Sequence, residues 1–155
     1  MYSHETGFQY ELNDDAGLMT PQKWAGREEE SGEWFFGYYD KSPWSSDMKQ
    51  AVFHQLEGEK VSIMVLDRTT GAQSHVGFSN AWNWQQGSMA QWVPGNDDRK
   101  IVFNVVEHHF LGCRLVELKR MTSRFIPWPI QTLHPVENRA LTLNYRRLAR
   151  LRPDY

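Results

Sequence analysis

The chain has 155 residues, 40% hydrophobic and 23% charged, with 11 glycines, 7 prolines and a single cysteine. That length fits one domain or at most two; the composition excludes long disorder, collagen and a coiled coil, and one thiol excludes an internal disulfide or a multi-cysteine zinc site. The net charge of −2 hides an asymmetry, because residues 1–59 carry 12 acidic and 4 basic side chains whereas residues 60–155 carry 7 and 13; this reads either as two solvated faces of opposite sign or as a polar ligand groove on the basic half.

Residues 1–32 show little periodicity and contain Asn13-Asp14-Asp15, Thr20-Pro21 and the acidic run Glu28-Glu29-Glu30. They read as an irregular N-terminal arm with one short helix near Gln22–Glu30. The first residues have neither a basic nor an apolar leader segment, and no apolar run reaches the roughly 18 residues of a membrane span, so the expectation is a cytoplasmic chain without a membrane span. From Glu33 short apolar runs alternate with turn clusters every eight to twelve residues, the signature of an all-β protein. Strands are expected at Trp34–Tyr39, Gln50–Gln55, Val61–Asp67, Gln73–Phe78, Ser88–Val93, Lys100–Val105, Cys113–Leu118, Arg124–Trp128, Gln131–His134 and Ala140–Tyr145. In the third of these, Val61, Ile63 and Val65 point one way while Met64 and Leu66 point the other. A strand apolar on both faces requires protein on both faces, and stacked sheets satisfy that. Thr69-Thr70-Gly71, Gly95-Asn96-Asp97-Asp98 and Val136-Glu137-Asn138 supply turn chemistry.

One pattern recurs three times: Ser42-Pro43-Trp44-Ser45-Ser46-Asp47-Met48-Lys49-Gln50-Ala51-Val52-Phe53-His54, then Val93-Pro94-Gly95-Asn96-Asp97-Asp98-Arg99-Lys100-Ile101-Val102-Phe103-Asn104, then His134-Pro135-Val136-Glu137-Asn138-Arg139-Ala140-Leu141-Thr142-Leu143-Asn144. Each has a proline, a polar turn, a basic residue and an apolar strand, at a spacing that suits four-stranded units. With Val61–Asp67 and Thr70-Gly71 following, the pattern resembles the repeat of TolB-type and WD-like β-propellers, with Asp47-Met48-Lys49 standing where Asp-Gly-Lys is usual and a third copy that lacks the Asp and Lys. The resemblance covers residues 34–145. It implies a partial β-propeller of two to three four-stranded antiparallel blades over residues 33–155, the N-terminal portion of a longer propeller; a small β-sandwich and a blade set closed by self-association are the competing architectures.

The densest polar-aromatic stretch is Asn80–Trp92, which holds Trp82, Asn83, Trp84, Gln85 and Gln86. In the propeller reading it connects one blade to the next, on the face where such folds hold ligands. Indole offers a flat apolar platform and amides offer paired donors and acceptors, a mixture that suits a sugar; the alternative is inter-blade packing with the amides satisfying loop backbone. Tyr39 and Asp40, with Lys41, hold the equivalent place one unit earlier, so Tyr39, Asp40, Trp84 and Gln86 could converge at one channel mouth; the alternative is a plain turn. Arg146, in the basic stretch Tyr145–Leu151 that reads as a short helix or a loop, suits a carboxylate or phosphate. His54, His108, His109 and His134 read as loop or strand histidines rather than a metal site, and Cys113 as a buried structural thiol.

These residues point to a non-catalytic module that binds a carbohydrate or another polar ligand, an acidic small molecule among them, at the blade-connection face and needs no cofactor. A carbohydrate-active enzyme similar to oligogalacturonate lyases, with a divalent metal, and a protein-interaction scaffold are the alternatives. No nucleic-acid motif is present, and the sequence pI of about 6.3 speaks against that partner.

Overall fold

A computed structural model describes residues 8–13, 18–23, 32–95 and 99–152. Strands β1 (Phe8–Asn13) and β2 (Leu18–Lys23) form an antiparallel hairpin. Then β3 (Trp34–Phe35), β4 (Gln50–Glu57), β5 (Lys60–Asp67) and β6 (Gln73–Ser79) pair in chain order as one antiparallel sheet. A second sheet repeats the same meander with β7 (Gln91–Trp92), β8 (Lys100–Glu107), β9 (Phe110–Glu117) and β10 (Thr122–Ile126). A hairpin of β11 (Thr132–Leu133) and β12 (Ala140–Leu141) follows, and the helix α1 (Tyr145–Leu151) after it. The protein is all-β apart from that helix. Among the described residues no helix is long and apolar enough to cross a membrane.

Each strand expected from the sequence has a counterpart, but the N-terminal arm differs from expectation. Where irregular chain was expected, residues 8–13 and 18–23 pair as strands, and Gln22 and Lys23 of the expected helix belong to β2. The rest of that helix, at residues 24–30, and the turn residues Asn96 to Asp98 lie outside the described residues.

Local chemistry explains the hairpins. Glu57 pairs with Lys60 across a two-residue loop in which Gly58 has φ 62°, a left-handed value that suits glycine. The equivalent loop in the second sheet is His108-His109, and both residues have positive φ, 48° and 68°. Between β5 and β6 the Asp67 carboxylate accepts hydrogen bonds from the Thr69 and Thr70 amides at 2.9 and 3.0 Å, and Gly71 completes the reversal at φ 70°.

The two sheets are offset by 50 residues along β4–β5 and β8–β9. Gln50 pairs with Asp67 as Lys100 pairs with Glu117, and Arg68 N–H donates to the Lys49 carbonyl as Leu118 N–H donates to that of Arg99. The turns before these strands close alike: Ser45, Val93 and His134 N–H donate to the carbonyls of Gln50, Lys100 and Arg139. The prolines do not all superpose on that frame. Pro135 stands where Pro94 does, after the inner strand, but Pro43 precedes its counterpart. Trp44 bridges Ala51 as Trp92 bridges Ile101, and Pro43 lies one residue before Trp44 while Pro94 lies after Trp92.

The core is made by stacking. Val52, Val61, Ile63 and Val65 of the first sheet meet Ile101, Phe103 and Val116 of the second, with Ala90 between them. Gly77 on β6 admits the Phe103 ring, because a Cβ there would lie 3.0 Å from the ring tip. The other face of the second sheet contributes Val102 and Cys113 to a second cluster with Met89 and Ile130, joined by Leu133 of β11. Strand β8 thus alternates Ile101 and Phe103 toward the preceding sheet with Val102 toward the following unit, which is the two-sided burial expected of such a strand.

One buried polar side chain interrupts the apolar run of β4, His54, and of β8, Asn104. Asn104 of β8 accepts a hydrogen bond from Ile130 N–H at 2.6 Å and donates to the Ile130 carbonyl at 3.0 Å, so a single amide satisfies both main-chain groups of a buried residue in the next unit. Removing one partner of a buried hydrogen bond exposes the full desolvation cost of the other. Asn104→Ala should therefore lower unfolding stability by about 3 kcal/mol, read from urea denaturation. A change under about 0.5 kcal/mol, the range of ordinary surface substitutions, would show that the contact holds nothing.

Candidate functional site

The connector between β6 and β7 is organised by its own side chains. Asn83 Oδ1 accepts from Gln86 N–H at 2.8 Å, and Gly87 N–H donates to the Asn83 carbonyl at 2.8 Å, which closes a tight loop over residues 83–87. Gly87 has φ 60°, and a Cβ on it would lie 2.5 Å from His54 Cε1, so only glycine fits between the loop and the strand beneath it. On the outer side, Trp82 Nε1 donates to the Glu59 carbonyl at 3.0 Å. Trp84 meets Trp82 edge-on at 5.2 Å and Phe35 at 5.0 Å, and Phe35 stacks on the His54 ring at 4.9 Å. A column of rings thus runs from exposed indole to buried imidazole.

His54 stands at the strand position equivalent to Asn104 and does the same work. Its Nε2 accepts a hydrogen bond from Ser88 N–H at 3.1 Å and lies 2.8 Å from Ser88 Oγ. A main-chain N–H can only donate, so Nε2 carries the lone pair and the proton of the neutral ring sits on Nδ1. Nδ1 is buried without a well-aligned partner. Burial pulls the His54 pKa down to about 4, and the main chain of Phe36 and Phe35 opposes that only in part. The pair has the distance of a serine–histidine dyad. Yet both residues are sealed, at 0% and 1% exposure, and no described carboxylate orients Nδ1, so the contact belongs to the packing of the two sheets.

Around this connector lies a depression of about 320 Å³ lined by Trp82, Asn83, Gln86, Leu111, Tyr145 and Arg146 among others. A second, of about 330 Å³, is lined by Phe110, Pro127, Trp128, Pro129 and residues 142–146. Leu111, Tyr145 and Arg146 line both, so the two depressions share a wall. Tyr145 is fixed there by donating its hydroxyl to Gln131 Oε1 at 2.7 Å, and burial pushes its pKa up to about 12. Asn144 places α1 by accepting from Arg147 N–H at 3.0 Å as the helix cap.

Of the residues singled out in the sequence, the structure brings Trp82, Asn83, Gln86 and Arg146 together. Gln86 is largely buried, with its carbonyl close to Gly37, and Trp84 and Gln85 stand exposed at the crest of the loop, Trp84 at 57%. The expected convergence with Tyr39 and Asp40 is not what these positions do. Asp40 pairs with Lys41 at 2.6 Å and lines a separate groove of about 450 Å³ with Trp44, Asp47, Gln91, Trp92 and Arg99. In that groove Asp47 bridges to Arg99 at 3.0 Å, and its hydrogen bond from Ser45 holds its carboxyl below the usual range. Tyr39 is 85% exposed, with its ring against Tyr38. Phe110, Trp128 and Tyr145 were not among the residues singled out; Trp128, between Pro127 and Pro129, carries the legible signal, since that segment connects the second unit to the third as Trp84 connects the first to the second.

The remaining reactive groups serve the fold. His134 Nδ1 accepts from Glu137 N–H at 2.8 Å and so caps its own turn, while His108 and His109 form the β8–β9 loop. Cys113 is buried, which pushes its thiol pKa up to about 11. Among the described residues no three His, Cys, Asp or Glu side chains are grouped as metal ligands.

No family model, curated protein or solved structure matches this chain.

The His54 site makes stability depend on pH. Its pKa falls from the ordinary 6.5 to about 4 on folding, so between those values the unfolded chain binds the proton that the folded one refuses. The contribution of His54 is complete above pH 6.5 and is lost as pH falls toward 4, by about 3 kcal/mol. Urea midpoints measured across this window should fall steeply in the native protein and far less in His54→Gln. Parallel slopes in the two proteins would contradict the assignment.

Proposed function

We propose that the chain is a non-catalytic module of propeller-type blades that binds a carbohydrate or another polar ligand at its connector face. The blade reading rests on three features: two meanders with one topology, the 50-residue offset of their central hairpins, and the order in which the second sheet is covered by the first on one side and by the third unit on the other. The binding reading rests above all on the composition of the double depression. Trp82 and Trp128 give it two indoles, and Asn83, Gln86 and Asn144 give it amides. Sugars present a C–H face and a rim of hydroxyls, and this is the surface that would take both.

The groups best suited to proton transfer by residue type are withdrawn from it here. His54 and Ser88 lie beneath the connector, and Tyr145 holds its proton to about pH 12. This favours binding over turnover. The exposure of Trp84 at 57% and Trp128 at 67% lends support to a second reading, in which the face docks a protein.

Titration with neutral and acidic oligosaccharides, followed by tryptophan fluorescence and calorimetry, tests the first reading. Saturable binding to at least one series is expected, weakened about tenfold or more by Trp82→Ala and by Trp128→Ala, as the loss of one stacked ring implies. A flat response to every series would overturn it.

A further inference from the structure

The charge of the connector face points to a narrower ligand class, and this step rests on the carbohydrate reading above. Among the described residues lining the two joined depressions, Arg146 is the only charged one; no Asp or Glu lines either. Other arginines of the basic half are neutralised close by: Arg99 by Asp47, Arg114 by Glu107, Arg120 by Glu117 and Arg139 by Glu137. Arg146 has no carboxylate or hydrogen-bond acceptor among the described residues. It also stands in the wall common to both depressions, between the half that holds Trp82 and the half that holds Trp128. Arg147 follows it on α1, so the local potential is positive.

A guanidinium prefers a planar, bidentate acceptor, and that of Arg146 is exposed at the depression wall, open to one. We propose that the ligand is an anionic saccharide of at least two residues, with a carboxylate or sulfate paired to Arg146 and sugar faces laid on Trp82 and Trp128. Because Arg146 lies between the indoles, the anionic group belongs to the middle of the bound stretch rather than to its end. A neutral glycan would leave the guanidinium without its natural partner. A cationic one would be repelled.

The test uses the full chain and oligosaccharides matched in backbone: neutral gluco-, galacto- and manno-series, their uronate counterparts, and O-sulfated versions of the neutral series. Calorimetry is the readout, with circular dichroism to confirm that each variant folds. At least one uronate or sulfated probe should bind about tenfold or more tightly than its neutral partner, and that ratio should shrink as salt rises from about 20 to about 500 mM. The uronate and sulfate arms separate the two sources of negative charge. Arg146→Gln should erase the ratio by weakening the acidic probe, Arg146→Lys should keep part of it, and Arg139→Gln, outside both depressions, should leave it intact. Equal binding of neutral and acidic partners, or a ratio that survives Arg146→Gln, overturns the anionic ligand and leaves the carbohydrate reading standing. No binding by any series removes both.

Discussion

Two buried side chains hold the stack together. His54 and Asn104 occupy the same position in consecutive sheets, each next to buried apolar neighbours on its strand, and each reaches across to the main chain of the segment that begins the next unit. Apolar burial is non-directional and does not by itself select which main-chain atoms meet across the sheets. A hydrogen bond to a particular main-chain atom is not. His54 fixes Ser88, and Asn104 fixes Ile130. Smaller contacts repeat the device: Asn80 binds both main-chain groups of Val106, and Ser79 Oγ donates to the Asn104 carbonyl at 2.6 Å.

The connector inherits its shape from these contacts. Ser88 is held from below, Gly87 is pressed against the imidazole, and Asn83 closes the loop above, so Trp82 and Asn83 are presented toward the depression while Trp84 is left at the crest. The same logic places the far wall. Asn104 holds Ile130, Tyr145 reaches Gln131 and lies within 3.2 Å of the Ile130 carbonyl, and Arg146 follows on the helix. A polar pair inside the core therefore sets the spacing of the surface above it, where Asn104 also lines the first depression. In this sense the packing of His54 shapes the connector face as well as the fold.

Much of this is legible in the sequence, and the rest is hidden from it for physical reasons. The long strands could be read because Val61–Asp67 is apolar on both faces and because Asp67-Thr69-Thr70-Gly71 is turn chemistry whatever surrounds it. The inner strands are shorter than their sequences suggest. Trp34–Tyr39 has strand-like aromatics, but Gly37 adopts φ 133° against the Gln86 carbonyl and ends the ladder after Phe35; Met89, at φ 57°, cuts the next one short in the same way. Tertiary contacts decide such positions, and no local propensity reports them. The indoles and amides of residues 82–86 announced a polar surface, but their partners could not be named correctly. Matching Pro43 to Pro94 sets Tyr39 and Asp40 beside Trp84, whereas the pairing of Trp44 with Ala51 and of Trp92 with Ile101 puts Pro43 one residue before the bridged tryptophan and Pro94 two residues after it. His54 and Asn104 were aligned in the repeat from the start; what their shared place meant needed the third dimension.

Hydrogen exchange of individual amides, followed by nuclear magnetic resonance, tests the clamp at its own atoms. Ser88 and Ile130 lie outside the strands, so their amides would exchange like those of loops unless His54 Nε2 and Asn104 Oδ1 hold them. The account predicts protection of both amides equal to that of Val52 and Val102 in the strand centres. Exchange of either at the rate of the exposed turn residues Glu59 or Arg120 would contradict it.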